Sequence, residues 1–222
     1  MKFWYVFSLT LTFLEAALLG YIGFARSDLL LEKIPVHWDI RMNPDAWTDR
    51  EHFCWYLLAA PGLMLFMVAL MAVLPWLSPK NFEIDRFAGV FGFVMTALVV
   101  FFGYLGALTL WAGLEENPPH WGQCFVAGFY ALFALMGSVL GKVQRNFFMG
   151  IRTPWTLANE TVWTRTHRVA AWLWVSAGLA GGVLVLCGAP FWAGLILLGA
   201  AAFAPVLYSL ILYKSMQSEG KL

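Results

Sequence analysis

The sequence predicts an all-α polytopic membrane bundle of six transmembrane helices with both termini cytoplasmic, and three observations carry that prediction. Hydrophobic residues make up 61% of the chain and charged residues 12%, with a mean hydropathy of +0.71, whereas a soluble domain carries about 25% charge. Six stretches stay apolar over about 20 residues, the length that crosses a hydrocarbon core of about 30 Å. Lys and Arg are divided unequally between alternate connections, which sets the orientation. A net charge of +1 gives no reason to expect a nucleic-acid partner.

The first span, 3–25, is too long for the apolar region of a secretory signal and no A-x-A pattern follows it, so it reads as a retained helix. It holds Glu15, the one charged residue inside any span. A charge at that depth costs about 2.5–3.5 kcal/mol on insertion scales. Glu15 is therefore expected to be protonated, or paired with a Thr or Tyr hydroxyl or a loop cation. It is either a proton or ligand site, or a tolerated acid facing another helix.

Connection 26–52 follows, with Arg26, Lys33, Arg41 and Arg50 against Asp28, Glu32, Asp39, Asp45, Asp49 and Glu51, a net of −2. Spans 53–77, 87–113 and 121–140 are separated by connections 78–86 and 114–120. Connection 141–168 has Lys142, Arg145, Arg152, Arg165 and Arg168 against Glu160, a net of +4 that anionic lipid attracts at about 1 kcal/mol per cation. Spans 169–187 and 190–213 form a hairpin through a tight turn at Gly188–Ala189. Both termini share a side with connections 78–86 and 141–168. That side holds ten Lys and Arg against four opposite, so it is expected to be cytoplasmic, with 26–52 outside.

The chain divides into 1–77, 78–120, 121–213 and a tail, 214–222. Gly137/Gly141 and Gly178/Gly182 are GxxxG pairs that serve packing within one bundle or dimerisation. Trp4, Trp55, Trp76, Trp111, Trp121 and Trp172 sit at span ends, where aromatic belts form. Cys54, Cys124 and Cys187 read as free thiols rather than as one disulfide and a remainder. His37, Asp45, His52, Glu115, Glu116 and His120 share the outward side, but H-E-x-x-H does not occur, and neither a metal nor a cofactor is expected.

The segment Arg145–Arg168, RNFFMGIRTPWTLANETVWTRTHR, is dense in aromatics and cations. Pro154 disfavours helix at Thr153, so a break is expected at IRTPW, with Thr156 as N-cap of a new helix and Glu160 near its positive end. At 100° per residue, Asn159, Trp163 and His167 share a face flanked by Thr166 and Glu160, while Leu157, Ala158 and Val162 scatter. A helix lying on lipid would gather an apolar stripe. This one gathers hydrogen-bonding groups, aimed at the bundle's own loops or at another molecule.

The segment resembles the signature of the SdpI family of bacterial membrane proteins. The resemblance is met by Asn146, Phe147, Gly150, Ile151, Arg152, Thr153, Pro154, Trp155, Thr156, Leu157, Asn159, Val162, Trp163, Thr166, His167 and Arg168. The outward stretch KIPVHWDIRMNPDAW resembles an element of the DUF1648 domain, which often precedes an SdpI domain, through Ile34, Pro35, His37, Trp38, Asp39, Pro44 and Asp45. Two departures stand out. Met42 replaces a usual Gly, so the turn is expected to differ locally, and Gln144-Arg145 replaces a common Lys-Pro. The resemblance implies a multi-pass protein of the bacterial inner membrane, related to an immunity factor that protects against a secreted toxin peptide. That factor holds a small regulatory protein, a repressor, at the membrane.

A proton-coupled transporter using Glu15 and an accessory subunit of a membrane complex are the alternatives. His167, Arg152, Thr153 and Glu160 can be drawn as an acid–base set, but no activated-nucleophile motif or P-loop is present and no catalytic residue is assigned. The expected topology is checked with a cysteine placed at Arg152 in a variant whose native cysteines are serines. A membrane-impermeant maleimide should leave it unlabelled in intact cells and label it after permeabilisation; labelling of intact cells would reverse the topology.

Overall fold

A computed structural model describes residues 1–39, 41–80, 83–116 and 118–222; the remaining positions, within connections 26–52, 78–86 and 114–120, lie outside the described residues. Helix α1, Lys2–Gly20, runs on through a π-helical turn at Tyr21–Ala25. Strands β1, Lys33–Trp38, and β2, Pro44–Asp49, form an antiparallel hairpin that leads into α2, Arg50–Leu77. A 3-10 turn at Ile84–Phe87 precedes α3, Ala88–Leu114. Then come α4, Trp121–Leu140, the short α5, Pro154–Ala158, α6, Glu160–Leu186, and α7, Phe191–Ser218. Among the described residues, six helical segments are long and apolar enough to cross a membrane, as the hydropathy predicts.

Three boundaries differ from the sequence expectation. The fifth long helix starts at Glu160 instead of 169, because Asn159 accepts from the Thr161 and Val162 amides at 2.8 and 3.1 Å and caps it. Hydropathy cannot register that turn, since Glu160–Arg168 is polar. Thr156 is not an N-cap: Thr153 caps α5, with Pro154 at its first position, and Thr156 returns the bond in a capping box. Connection 26–52 is not all loop, because Ile34, Val36 and Trp38 alternate along a strand.

The chain gathers into two compact units, one of Met1–Met71 with Met95–Gly128 and the other of Ala72–Val94 with Phe129–Leu222. In the first, Leu19, Leu30, Ile34, Phe53 and Leu57 form a fully buried cluster that roots the hairpin between helices. Met64, Val68 and Val99 form a second cluster, and the Ser8 and Thr96 hydroxyls bond at 3.0 Å.

In the second unit α6 packs along α7, and α4 approaches α6 through glycine. A Cβ added at Gly178 would lie 2.7 Å from Tyr130 O and Ala134 N; one at Gly137 would lie 2.8 Å from Val175 N. The GxxxG pairs thus serve packing within this chain. Lipid tails are as apolar as Leu, so close van der Waals contact has to replace the hydrophobic drive between helices. The Tyr130 ring fills the space left by Gly181 and Gly194.

Gly178→Leu should force α4 from α6 at a cost of about 1–3 kcal/mol, as overpacking typically does. Gly199→Ala, with nothing within 4 Å, serves as the neutral comparison. Thermal unfolding in detergent should show a clear drop for the first and none for the second.

Candidate functional site

The Arg145–Arg168 segment folds into a clasp in which Asn146, Thr156, Trp163 and His167 are spent on nearby backbone. Asn146 is fully buried and uses its whole amide. Its Oδ1 accepts from the Phe148 and Met149 amides at 2.7 and 2.8 Å, and its Nδ2 donates to Gln144 O and Met149 O at 2.8 and 3.1 Å. The chain then turns at Gly150, whose φ of 102° lies in the left-handed region that glycine enters without strain. A Cβ there would also collide with His167 Nε2.

That close approach lets the Ile151 amide donate to His167 Nε2 at 3.0 Å. Because Nε2 accepts, Nδ1 carries the proton and donates to Trp163 O at 2.8 Å, which fixes one neutral tautomer. The Trp163 ring stacks on the imidazole at 4.0 Å between centroids, and its indole N–H donates to Val143 O at 2.8 Å. Thr156 accepts from the Thr153 amide at 2.9 Å and donates to Ile151 O at 2.8 Å. A 3.3 Å contact between the Thr153 and Ser209 hydroxyls ties the clasp to α7.

Hence Asn146, Trp163 and His167 are buried and bonded to backbone, Thr153 and Asn159 are half-buried caps of α5 and α6, and Gly150 is an exposed turn whose bare Cα admits the His167 ring. Trp155 is half-buried, and its indole N–H has no protein acceptor among the described residues. Pro154 is exposed at the start of α5. Arg145 is half-buried, donates to Leu157 O at 3.0 Å and meets Glu160 at 3.2 Å. The clasp's outer surface carries Arg152, Arg165 and Arg168, with Lys142 exposed just before it, Phe147 at 41% exposure and the Phe147 carbonyl accepting from Arg152 Nη1.

The outward motif residues occupy the hairpin. Pro35 is buried beside Ile34, while His37 and Asp45 are exposed and meet at 2.6 Å. Trp38 stacks on Trp121 at 3.9 Å, and Trp121 donates to Leu108 O at 2.9 Å. Asp39 closes the turn by accepting from the Asn43 and Arg41 amides at 2.9 and 2.8 Å, which hold its carboxyl below the ordinary carboxylate range. Pro44 pairs with Trp38 at the head of β2. Met42 takes a left-handed φ of 62°, and its side chain rests against Gly122. Tertiary contact overrides the local strain of about 1–2 kcal/mol.

Glu15 sets its carboxyl against Gly103 and Gly106 of α3 and lines a crevice of about 570 Å³ beside them. Its Oε1 is buried and, among the described residues, has no partner, neither hydroxyl nor cation. Cβ atoms at Gly103 or Gly106 would collide with its oxygens. Sequence reading missed these two glycines, although the small-residue spacing in GYLG was visible. Cys54, Cys124 and Cys187 are free thiols, and among the described residues no three His, Cys, Asp or Glu side chains gather into a metal-binding group.

A family model described as the SdpI/YfhL protein family matches residues 142–209. The match begins beside the clasp and ends at Ser209, the α7 residue that contacts Thr153. This part of the chain is similar to that family, within a multi-pass membrane protein. Among curated proteins and among solved structures, no match is found.

His167→Ala leaves the Ile151 amide buried without an acceptor, a penalty of about 1–3 kcal/mol. Hydrogen exchange across 146–153 should accelerate about tenfold or more in His167→Ala and in Gly150→Ala. Arg168→Ala, on the exposed side, should leave it unchanged.

Proposed function

We propose that the protein is an SdpI-like receptor or immunity protein of the bacterial inner membrane. It binds a toxin or signal peptide at the outer hairpin and responds inside through the cationic face of the clasp, without covalent chemistry. The observation that carries this reading is the division of labour within the motif. His167, Asn146 and Thr156 are consumed by backbone bonds, so what the segment offers a partner is Phe147 and a set of cations. Guanidinium groups flanking an exposed aromatic suit an acidic protein patch. A small regulatory protein held there must present such a patch apart from any basic DNA-binding surface.

Support for the outer half comes from the DUF1648-like hairpin. It is rooted through Ile34 and exposes His37, Asp45 and Trp47, the last at 56%. Loop 26–52 has a net charge of −2, which suits a cationic peptide.

Expression in a sensitive bacterium should raise survival against a cognate toxin peptide. Arg152→Ala combined with Arg168→Ala should remove at least about tenfold of that gain, with protein level and thermal stability unchanged. Full protection in the double variant would overturn the cationic response face. No protection by the wild-type chain across several toxin peptides would overturn the immunity role.

A further inference from the structure

We propose that the crevice between α1 and α3 binds a lipid-soluble amine whose ammonium group pairs with Glu15. The notch is cut for the carboxyl. Gly103 and Gly106, one turn apart on α3, leave no side chain where the Glu15 oxygens lie, and any Cβ at either position would occupy their place.

The acid is not the hub of an internal network. Five hydroxyls on α1 and α3 bond elsewhere: Ser8 with Thr96, Thr12 to Ser8 O, Tyr104 to Cys124 O at 2.6 Å, and Thr109 to Leu105 O. Oε1 is left buried and, among the described residues, unpartnered. A carboxyl in hydrocarbon without a donor is costly in either protonation state. An ammonium group brings three N–H donors and the opposite charge.

Depth decides what carries that ammonium. Glu15 lies roughly 20 Å along the helix from Lys2 and roughly 15 Å from Ala25, at 1.5 Å per residue. A headgroup amine anchored at either surface does not reach it, so the amine must travel on its own apolar body. The crevice, about 570 Å³, falls in the usual range of small-molecule sites, about 300–1,000 Å³. Its walls are apolar, with Trp111 among them, and Leu14 and Val100 on its edge are 65% and 43% exposed. Entry is therefore lateral, from the bilayer. This site does not rest on the receptor reading and stands whether or not the protein senses a peptide.

The test uses the full chain in lipid nanodiscs with two photoreactive ligands, a diazirine-bearing dodecylamine and the matching dodecanol, and maps adducts by mass spectrometry. The amine should label 11–19 and 100–114 saturably, at least about tenfold more than the alcohol. Glu15→Gln should reduce amine labelling to the alcohol's level. Equal labelling by amine and alcohol, or undiminished amine labelling in Glu15→Gln, would overturn the site and leave an acyl-chain crevice. Should Glu15→Gln fold poorly, Val100→Trp fills the crevice at its lipid edge and must abolish amine labelling; persistence overturns the proposal equally.

Discussion

The hydrogen bond from the Ile151 amide to His167 Nε2 is the constraint on which the clasp depends. A turn at the edge of a membrane bundle leaves backbone amides in a place that water reaches poorly, and each must find an acceptor within the chain. An imidazole can supply one only when neutral and when Nδ1 holds the proton. The Trp163 carbonyl enforces that tautomer from one side while the Trp163 ring covers the imidazole from the other. Gly150 is the remaining condition: its missing side chain lets the ring approach, and its positive φ brings the next amide round to meet Nε2. Three residue types in the motif are thus explained by a single donor.

How much of this was legible in the sequence depends on which force placed each residue. The six spans were visible because burial in lipid demands length and apolarity from every one of them. The shared helical face of Trp163 and His167 was also visible, since periodicity is a local property, whereas Asn159, expected on that face, is the extended cap of α6. Its target was not, because Val143 O and Ile151 N are backbone groups and carry no sequence mark. The start of α6 was hidden for a different reason: hydropathy weighs polar residues against a span, whereas an Asn cap and tertiary bonds hold them in helix. Thr156 was misplaced as a cap because Thr153 and Thr156 are both competent, and only the reciprocal capping box separates their roles.

Met42 and Gly122 illustrate how tertiary contact rescues a locally poor choice. A long side chain at positive φ is disfavoured, and a turn normally hands that position to glycine. Here the glycine sits on the other side of the contact, at the start of α4, and Met42 fills the space it leaves. The same bond-for-space logic recurs at Trp38 and Trp121, whose stack at 3.9 Å fastens the hairpin beside that contact. A hairpin of two strands is marginal alone in water. This one is fixed by Ile34 below and by the Trp38 stack, so its exposed edge is a rigid surface.

Glycine is used in two physically different ways in the two units. At Gly137 and Gly178 it brings backbone against backbone, replacing a hydrophobic drive that lipid cannot provide. At Gly103 and Gly106 the facing group is a carboxyl, whose oxygens fill the space gained and one of which has no bonding partner among the described residues. Packing alone has no use for such a notch, since alanine at 103 and 106 opposite an apolar residue at 15 would close the helices with better van der Waals contact and no desolvated acid. The pairing of an acid with two facing glycines therefore separates this crevice from the dry helix contacts elsewhere in the chain. It also separates the crevice from the clasp, where every comparable polar side chain but Trp155 and Thr166 has been given its bond.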